Sequence, residues 1–457
     1  MSTIAAISTA TGVGGISIIR MSGKDCFKIL DKFFVPKNKN KEVKGYTIKY
    51  GHIYDNQKVV DEVLVSYFEE PNSYTKENMC EINSHGGTYI SNKILEICLK
   101  NGAILAEPGE FTKIAFLNGR IDLSQAESII DLINSKTERE ATTSINQLEG
   151  FLSNKIYNIK RKLMDIMVLS EVSIDYPEYD VEDVTNQRVL NILQEVKDDL
   201  GKLSNSFETG KIIKEGINIA LIGKPNAGKS SLLNRMLKEE RAIVTDIEGT
   251  TRDSIQEYID IKGIPVKIID TAGIRDATNE IEKIGIEKSK KIANQADLVM
   301  AIFDISKPLL KDEIEILESI KSKKCIIILN KIDLKYSDEL ENDIKKHINN
   351  KEIIKISAKE DIGIEEIYEK ILEMFKLDEI SIDNSEMITN IRHKNVIDNA
   401  LVIIKEAIST VENKMPIDII SINIKNIMEE LAKITGENVS EDIIKEIFSK
   451  FCLGKWY

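Results

Sequence analysis

The sequence predicts a multidomain chain in which an α/β domain with a parallel sheet is inserted into an α-helical domain, behind a separate α/β domain at the N-terminus. Three observations carry this. The chain has 457 residues, too many for one ordinary core, since domains run to about 100–200 residues. Helical periodicity gives way at Ile217 to alternating strands and helices that continue to about Phe375, and then returns. Finally, Gly223-Lys224-Pro225-Asn226-Ala227-Gly228-Lys229-Ser230 places a glycine-rich turn between a strand-like and a helix-like run.

In chain order, residues 1–118 mix strand-like runs (Ile16–Arg20, Val63–Phe68) with a helical pattern at Ile90–Lys100, punctuated by Gly and Pro, as in a compact α/β domain. From Asp122 to about Ser206 apolar residues recur at three and four positions, as in Leu148, Phe151, Leu152, Ile156, Ile159 and Leu163, which predicts long amphipathic helices broken near Pro177. After the β/α insert, Val396, Ala400, Ile403, Ile404 and Ala407 form one stripe, and Ile443, Ile444, Ile447, Phe448 and Phe451 another. Such stripes need a partner surface. The simplest is the helical stretch before the insert, because an inserted domain leaves and re-enters its host at neighbouring points. The expected boundaries are 1–118, 119–210, 211–377 and 378–457, the second and fourth forming one discontinuous helical domain. The Lys/Asn-rich tract Lys37–Lys44 reads as a solvated loop.

Composition narrows the function. Hydrophobic residues make up 42% and charged residues 30%, no apolar run is long enough to cross a bilayer, and Met1 opens no signal sequence, so a cytoplasmic protein without membrane contact is expected. Five cysteines without a C-x-x-C pair suggest reduced thiols and no zinc site. A net charge of −13 argues against a general nucleic-acid coat protein. Any RNA contact is local, and the basic run Lys155–Lys162 is either such a contact or a solvated helix face.

The glycine-rich run fits G-x-x-x-x-G-K-S in its required strand–loop–helix setting. Glycines let the backbone wrap phosphate, helix-start amides donate to it, Lys229 neutralises β/γ-oxygens and the Ser230 hydroxyl can ligate Mg²⁺. Three further signals follow in order. Thr250-Thr251-Arg252-Asp253 is switch-like, with Thr251 able to complete the Mg²⁺ shell; Asp270-Thr271-Ala272-Gly273 ends an apolar strand and is the second switch. Asn330-Lys331-Ile332-Asp333 caps the strand Ile326–Leu329, and Asp333 can accept two hydrogen bonds from guanine N1–H and the 2-amino group, a donor pair that adenine lacks. Ser357-Ala358-Lys359 supports the base from the other side. These signals make the insert a Ras-like P-loop GTPase domain. The nucleotide set read from these motifs is Asn226, Ala227, Gly228, Lys229, Ser230, Ser231, Thr250, Thr251, Asp270, Thr271, Ala272, Gly273, Asn330, Lys331, Asp333, Ser357, Ala358 and Lys359.

One departure from Ras stands out. The position after Asp-Thr-Ala-Gly, where Ras-like enzymes carry a water-orienting Gln, is Ile274. Asn226 either caps its own loop or helps to hold a monovalent cation beside the phosphates; Glu282 is either a solvated helix-face carboxylate or aligns the attacking water through a second water.

The run Gly-Lys-Pro-Asn-Ala-Gly-Lys-Ser (223–230), Asp246-Ile247-Glu248-Gly249-Thr250-Thr251-Arg252-Asp253 and the end Phe451-Cys452-Leu453-Gly454-Lys455 together resemble the MnmE (TrmE) family of tRNA modification GTPases. The N-terminal part agrees through Gly14-Gly15-Ile16, Arg20, Pro71-Asn72-Ser73-Tyr74-Thr75, Ser84-His85-Gly86-Gly87 and Pro108-Gly109-Glu110-Phe111-Thr112. The resemblance implies an N-terminal domain that dimerises and binds a tetrahydrofolate one-carbon donor (5-formyl- or 5,10-methylene-tetrahydrofolate), and a G domain whose GTP hydrolysis is stimulated by K⁺. It also implies a homodimer that joins an FAD-dependent MnmG-type partner in a heterotetramer and acts on the wobble uridine of tRNA.

By the same resemblance the nucleotide contacts extend to Thr245, Asp246, Ile247, Glu248 and Gly249, K⁺ contacts fall on Asn226, Thr245, Ile247 and Thr250, Mg²⁺ contacts on Ser230 and Thr251, the catalytic carboxylate on Glu282, and folate contacts on Arg20, Glu81, Arg120 and Lys455. Position 120 carries Arg where the familiar pattern has Lys, which keeps the charge and changes the donor layout. Cys452 stands in Cys-Leu-Gly-Lys rather than Cys-Ile-Gly-Lys, with Trp456-Tyr457 beyond; it either takes part in the chemistry or is a small buried hydrophobe beside Phe451. The Gly12–Gly15 cluster reads as a turn, and His85 as structural. The alternatives weighed are a ribosome-assembly GTPase of the Der/Era group and a folate-binding scaffold with a vestigial G domain.

Overall fold

The computed structural model describes residues 2–10, 12–38, 45–175, 182–224, 226–239, 257–270, 293–348, 351–377 and 387–451. Pro177 lies outside them, as do residues 39–44 of the Lys/Asn tract. By its contacts the chain forms two units, one of Met1–Ile130, Gln147–Leu193 and Ile403–Tyr457, the other of Asp131–Asn146 and Gln194–Val402.

The first unit holds a seven-stranded sheet built from β1 (Ile4–Ile7), β2 (Ile16–Ser22), β3 (Phe34–Pro36), β4 (Thr47–Asp55), β5 (Lys58–Phe68), β6 (Met79–His85) and β7 (Ile104–Leu105), in the order β3-β4-β5-β6-β2-β1-β7. Pairing is antiparallel except between β1 and β7. Helices α1 (Cys26–Leu30) and α2 (Thr88–Lys100) cover one face. Strand residues alternate between faces: Ile19, Met21, Val63, Val65, Cys80 and Ile82 enter a core shared with Ile94, Leu95 and Cys98 of α2. Arg20 and Glu81, one step out of phase with those core residues, are direct cross-strand partners on the other face. The Gly12–Gly15 cluster is a turn whose Gly14 N–H donates to Gly86 O at 2.8 Å.

The same unit contains α3 (Glu110–Leu117), the start of α4 (Leu123–Asn134), the end of α5 (Glu138–Leu148), α6 (Phe151–Asp175) and the start of α7 (Glu182–Asn205). Leu152, Ile156, Ile159, Leu163 and Ile166 line one stripe of α6 and are fully buried, the pattern read from the sequence.

In the second unit α8 (Phe207–Glu215) leads into a six-stranded sheet of β8 (Ile217–Ile222), β9 (Glu257–Ile261), β10 (Ile264–Asp270), β11 (Leu298–Asp304), β12 (Cys325–Asn330) and β13 (Glu352–Ile356), in the order β13-β12-β11-β8-β10-β9. All neighbours are parallel except the β9–β10 hairpin. Every residue of β11 and β12 is buried, as expected of central parallel strands covered on both faces. Leu221, Met300, Ile302 and Ile328 face Leu232 and Met236 of α9 (Lys229–Glu239). Ile222, Phe303, Ile327 and Leu329 face Leu317 of α10 (Lys311–Ile320) and Ile344 of α11 (Glu339–His347). Ile367 and Ile371 of α12 (Ile364–Met374) complete the first of these layers.

Beyond the insert, α13 (Ile391–Glu412) buries Val396, Ala400, Ile404 and Ala407. Helix α14 (Ile417–Thr435) packs along α6 through Ile424, Ile427 and Leu431, so helices from before and after the insert do share a core. Helix α15 (Glu441–Ser449) buries Ile447 and Phe448, with Phe116 and Phe451 ring centroids 6.2 and 5.5 Å from Phe448. Ile443, which the sequence reading put on this stripe, is 42% exposed; it lies a residue off the 444, 447, 448, 451 spacing that one helix face allows.

Candidate functional site

Strand order reverses at β8, whose neighbours β10 and β11 carry the chain to opposite edges. Loops at the carboxyl ends of such strands flank the crevice where open α/β sheets bind ligands, and the glycine-rich loop leaves β8 there. Asn226 has φ +66°, a left-handed conformation that Asn tolerates better than most residues. That supplies a backbone reason for Asn at this position beside any cation role. Gly228 has φ +107°, and a Cβ there would stand 2.0 Å from Asn330 Nδ2, so only glycine fits. Lys229, at the first turn of α9, donates to Gly223 O at 2.6 Å and Lys224 O at 2.9 Å, which holds the ammonium inside the loop it closes. Ser230 and Ser231 follow, both exposed.

The base-side loops converge on the same place. Asn330, 2% exposed at the end of β12, donates from Nδ2 to Ala227 O (2.9 Å) and accepts at Oδ1 from Ala358 N–H (3.1 Å). It therefore ties the phosphate loop to the Ser357–Lys359 loop. Asp333 is exposed, and its Oδ1 accepts from the buried Ser357 hydroxyl at 2.7 Å. That hydrogen bond holds the Asp333 carboxyl below its ordinary pKa and keeps it an anionic acceptor. Lys331, at φ +75°, reaches Asp304 Oδ2 at 2.7 Å. Burial would raise the Asp304 pKa, but bonds from Lys331 and Ser306 outweigh it and hold it below the usual value. Lys359 is exposed and pairs with Glu360. Asp270 ends β10 in parallel register with Leu221 of β8, which places its backbone beside the base of the phosphate loop.

Thr245, Asp246, Ile247, Glu248, Gly249, Thr250, Thr251, Thr271, Ala272, Gly273, Glu282, Cys452 and Lys455 lie outside the described residues. Asp304 was missed by sequence reasoning; its only signal was a carboxylate ending an otherwise apolar strand. Asn330 was assigned to the nucleotide; its amide also ties the two loops together, with one N–H and one lone pair left over.

In the first unit, three of the positions singled out for folate meet although they are up to 100 residues apart. Arg20 Nε donates to Glu81 Oε1 at 2.8 Å. The Arg20 guanidinium lies 5.3 Å from the Tyr74 ring centroid and 5.5 Å from that of Phe111. Arg120 sits 4.4 Å over the same Tyr74 ring, whose hydroxyl is 2.8 Å from Thr112 Oγ1. Two cations thus share one aromatic, an arrangement that suits a planar or anionic ligand. Tyr74 and Phe111 had been noted in motifs without a role. Phe451, the last described residue, packs against Gly109 near Phe111. His85, read as structural, has Nδ1 2.7 Å from Asp61 Oδ1, and that bond raises its pKa.

Two family profiles match the chain: the GTP-binding protein TrmE N-terminus over residues 3–120 and the MnmE helical domain over residues 123–452. Curated proteins named tRNA modification GTPase MnmE are similar over 99% of each chain. The one from Acetivibrio thermocellus is 49% identical over 455 residues, that from Alkaliphilus oremlandii 48% over 457 and that from Clostridioides difficile 48% over 456. With likeness of this degree over nearly its whole length, the chain belongs to the MnmE family of tRNA modification GTPases.

Proposed function

We propose that this chain is a K⁺-stimulated GTP hydrolase that acts with an FAD-dependent MnmG-type partner to add a carboxymethylaminomethyl group at C5 of the wobble uridine of certain tRNAs. The observation that carries the GTP part is the exposed, ionised Asp333 carboxylate braced by Ser357, on loops that Asn330 ties to the phosphate loop. The tRNA part rests on family membership.

In this reading Ser230 and Thr251 hold Mg²⁺, and Asn226, Thr245, Ile247 and Thr250 hold K⁺. Glu282 aligns the attacking water in place of the side chain that Ile274 lacks. Arg20, Glu81, Arg120 and Lys455 hold a tetrahydrofolate derivative, which supplies the one-carbon unit. The convergence of Arg20, paired with Glu81, and Arg120 on Tyr74 supports that assignment, since guanidinium groups suit carboxylates and an aromatic suits a pterin. Cys452 is assigned to the modification chemistry on the family resemblance. The working form is a homodimer joined by the partner into a heterotetramer in the cytoplasm, with functional borders at 118/119, 210/211 and 377/378.

Nucleoside analysis of tRNA from cells lacking the protein tests the reading, with loss of the modified wobble uridine expected and unchanged wobble nucleosides refuting it. Turnover of GTP by the purified chain in K⁺ against Na⁺ tests the cation separately: several-fold faster hydrolysis in K⁺ is expected, and equal rates would remove the cation from the mechanism.

A further inference from the structure

The β9–β10 hairpin joins the two segments in which the sequence places the γ-phosphate-sensing residues, for β9 follows residue 256 and β10 ends at Asp270. It also forms one edge of its sheet. Strand β10 pairs with β8 along five residues, whereas β9 ends the sheet and, among the described strands, pairs with β10 alone. Ile259 and Ile261 are buried in the core, and the alternate residues Tyr258 and Asp260 are half-buried on the other side.

What covers them is the turn into α5 and its first residues. The Lys136 ammonium lies 3.6 Å from the Tyr258 ring centroid. At the hairpin turn Gly263 has φ +85°, and a Cβ there would stand 3.2 Å from Arg139 Cβ, so the Arg139 stem rests directly on the turn. Burial and the neighbouring Glu138 raise the Asp260 pKa, while the Gly263 N–H, 2.6 Å from Oδ1, opposes them. The helix start is itself fixed: Glu140 N–H donates to Thr137 Oγ1 (3.2 Å), and Glu140 Oε2 accepts from Lys136 N–H (2.7 Å). Asp131, five residues before Lys136, bonds Lys214 of α8 at 2.7 Å, and α8 feeds the phosphate-loop strand. Consistent with this, Asp131–Asn146 groups with the parallel-sheet unit while the chain on either side of it groups with the other.

We propose that Lys136 and Arg139 are positioning residues that read the nucleotide state: they clasp the hairpin in the place it takes with one of the two guanine nucleotides, so that exchanging GTP for GDP works against the clasp or with it. The proposal rests on the GTPase reading above. By linkage, a clasp that discriminates the two states must itself shift their relative affinities.

The test titrates the full-length chain, with Mg²⁺, against GDP and against a non-hydrolysable GTP analogue. Lys136→Met and Tyr258→Leu are each expected to change the ratio of the two affinities by about 3–10-fold. The double variant is expected to change it no further, because both remove one contact. Tyr258→Phe, which keeps the ring, is expected to retain the wild-type ratio. Should Tyr258→Leu fail to fold, Lys136→Met against Tyr258→Phe decides the matter. A ratio unchanged within twofold, or equal weakening for both nucleotides, overturns the proposal and leaves a purely structural contact. A wild-type chain that binds neither nucleotide fails the GTPase reading instead.

Discussion

In the nucleotide loops the contacts between loops run through backbone groups and short side chains, with the Lys229 and Lys331 ammonium groups as long exceptions; around Tyr74 they are made by the ends of long ones. Asn330 reaches one carbonyl and one amide across two loops, and Gly228 leaves no room beside it for even a methyl group. Arg20 and Arg120, by contrast, approach Tyr74 from a strand and from a loop, with distances of 5.3 and 4.4 Å that small rotations can change. A site made of backbone is intolerant of substitution but easy to recognise in a sequence, since its residue types are forced. A site made of side-chain ends is tolerant, and its membership depends on folding.

That contrast can be broken or sharpened by measurement. The largest effect is expected from Gly228→Ala, which combines a left-handed backbone with a clash against Asn330; GTP affinity should fall by about 10³-fold or more in calorimetry. Next comes Asp333→Asn, which exchanges an ionised acceptor for an amide and should weaken GTP by about 10²-fold while leaving the melting temperature near that of the wild type. In the arginine cluster Arg120→Lys keeps the charge and loses the guanidinium over Tyr74. Binding of a tetrahydrofolate derivative should weaken only about 3–10-fold, and a loss as large as that of Gly228→Ala would end the distinction between the two regions.

The smallest expected effect is a pH dependence at the clasp. Burial pushes the Glu140 carboxyl up from an ordinary 4.5 to about 7. The stability given by its neutral form is complete below pH 4.5 and is lost as pH rises to about 7, amounting to about 1–2 kcal/mol after solvent screening. Denaturant midpoints measured across that window should slope downward in the wild type, and Glu140→Gln should flatten the slope.

Legibility followed the same division. The strand–loop–helix around 223–230 and the stripe of Leu152, Ile156, Ile159 and Leu163 were readable because each is local, set by a fixed spacing along one element. Asp304 holding Lys331, Asn330 tying two loops, and Tyr74 between two arginines were not, because each depends on strand order or on the register that sets Arg20 opposite Glu81. The docking of residues 131–146 was equally hidden. Nothing in Thr137–Glu140 beyond a helix start announces that Tyr258 will lie beneath it. Ile443 failed for a different reason: five apolar residues at 443–451 exceed what one face of a short helix can hold.

The left-handed backbone at Asn226 also decides how that residue should be interrogated. Replacement by alanine would remove the amide oxygen and impose torsional strain on the loop together, so a slower enzyme would have two explanations. Glycine relaxes into the same torsion angles and deletes the oxygen alone. Comparing the two exchanges separates an ion's missing ligand from a distorted phosphate cradle, and only a deficit common to both belongs to the ligand.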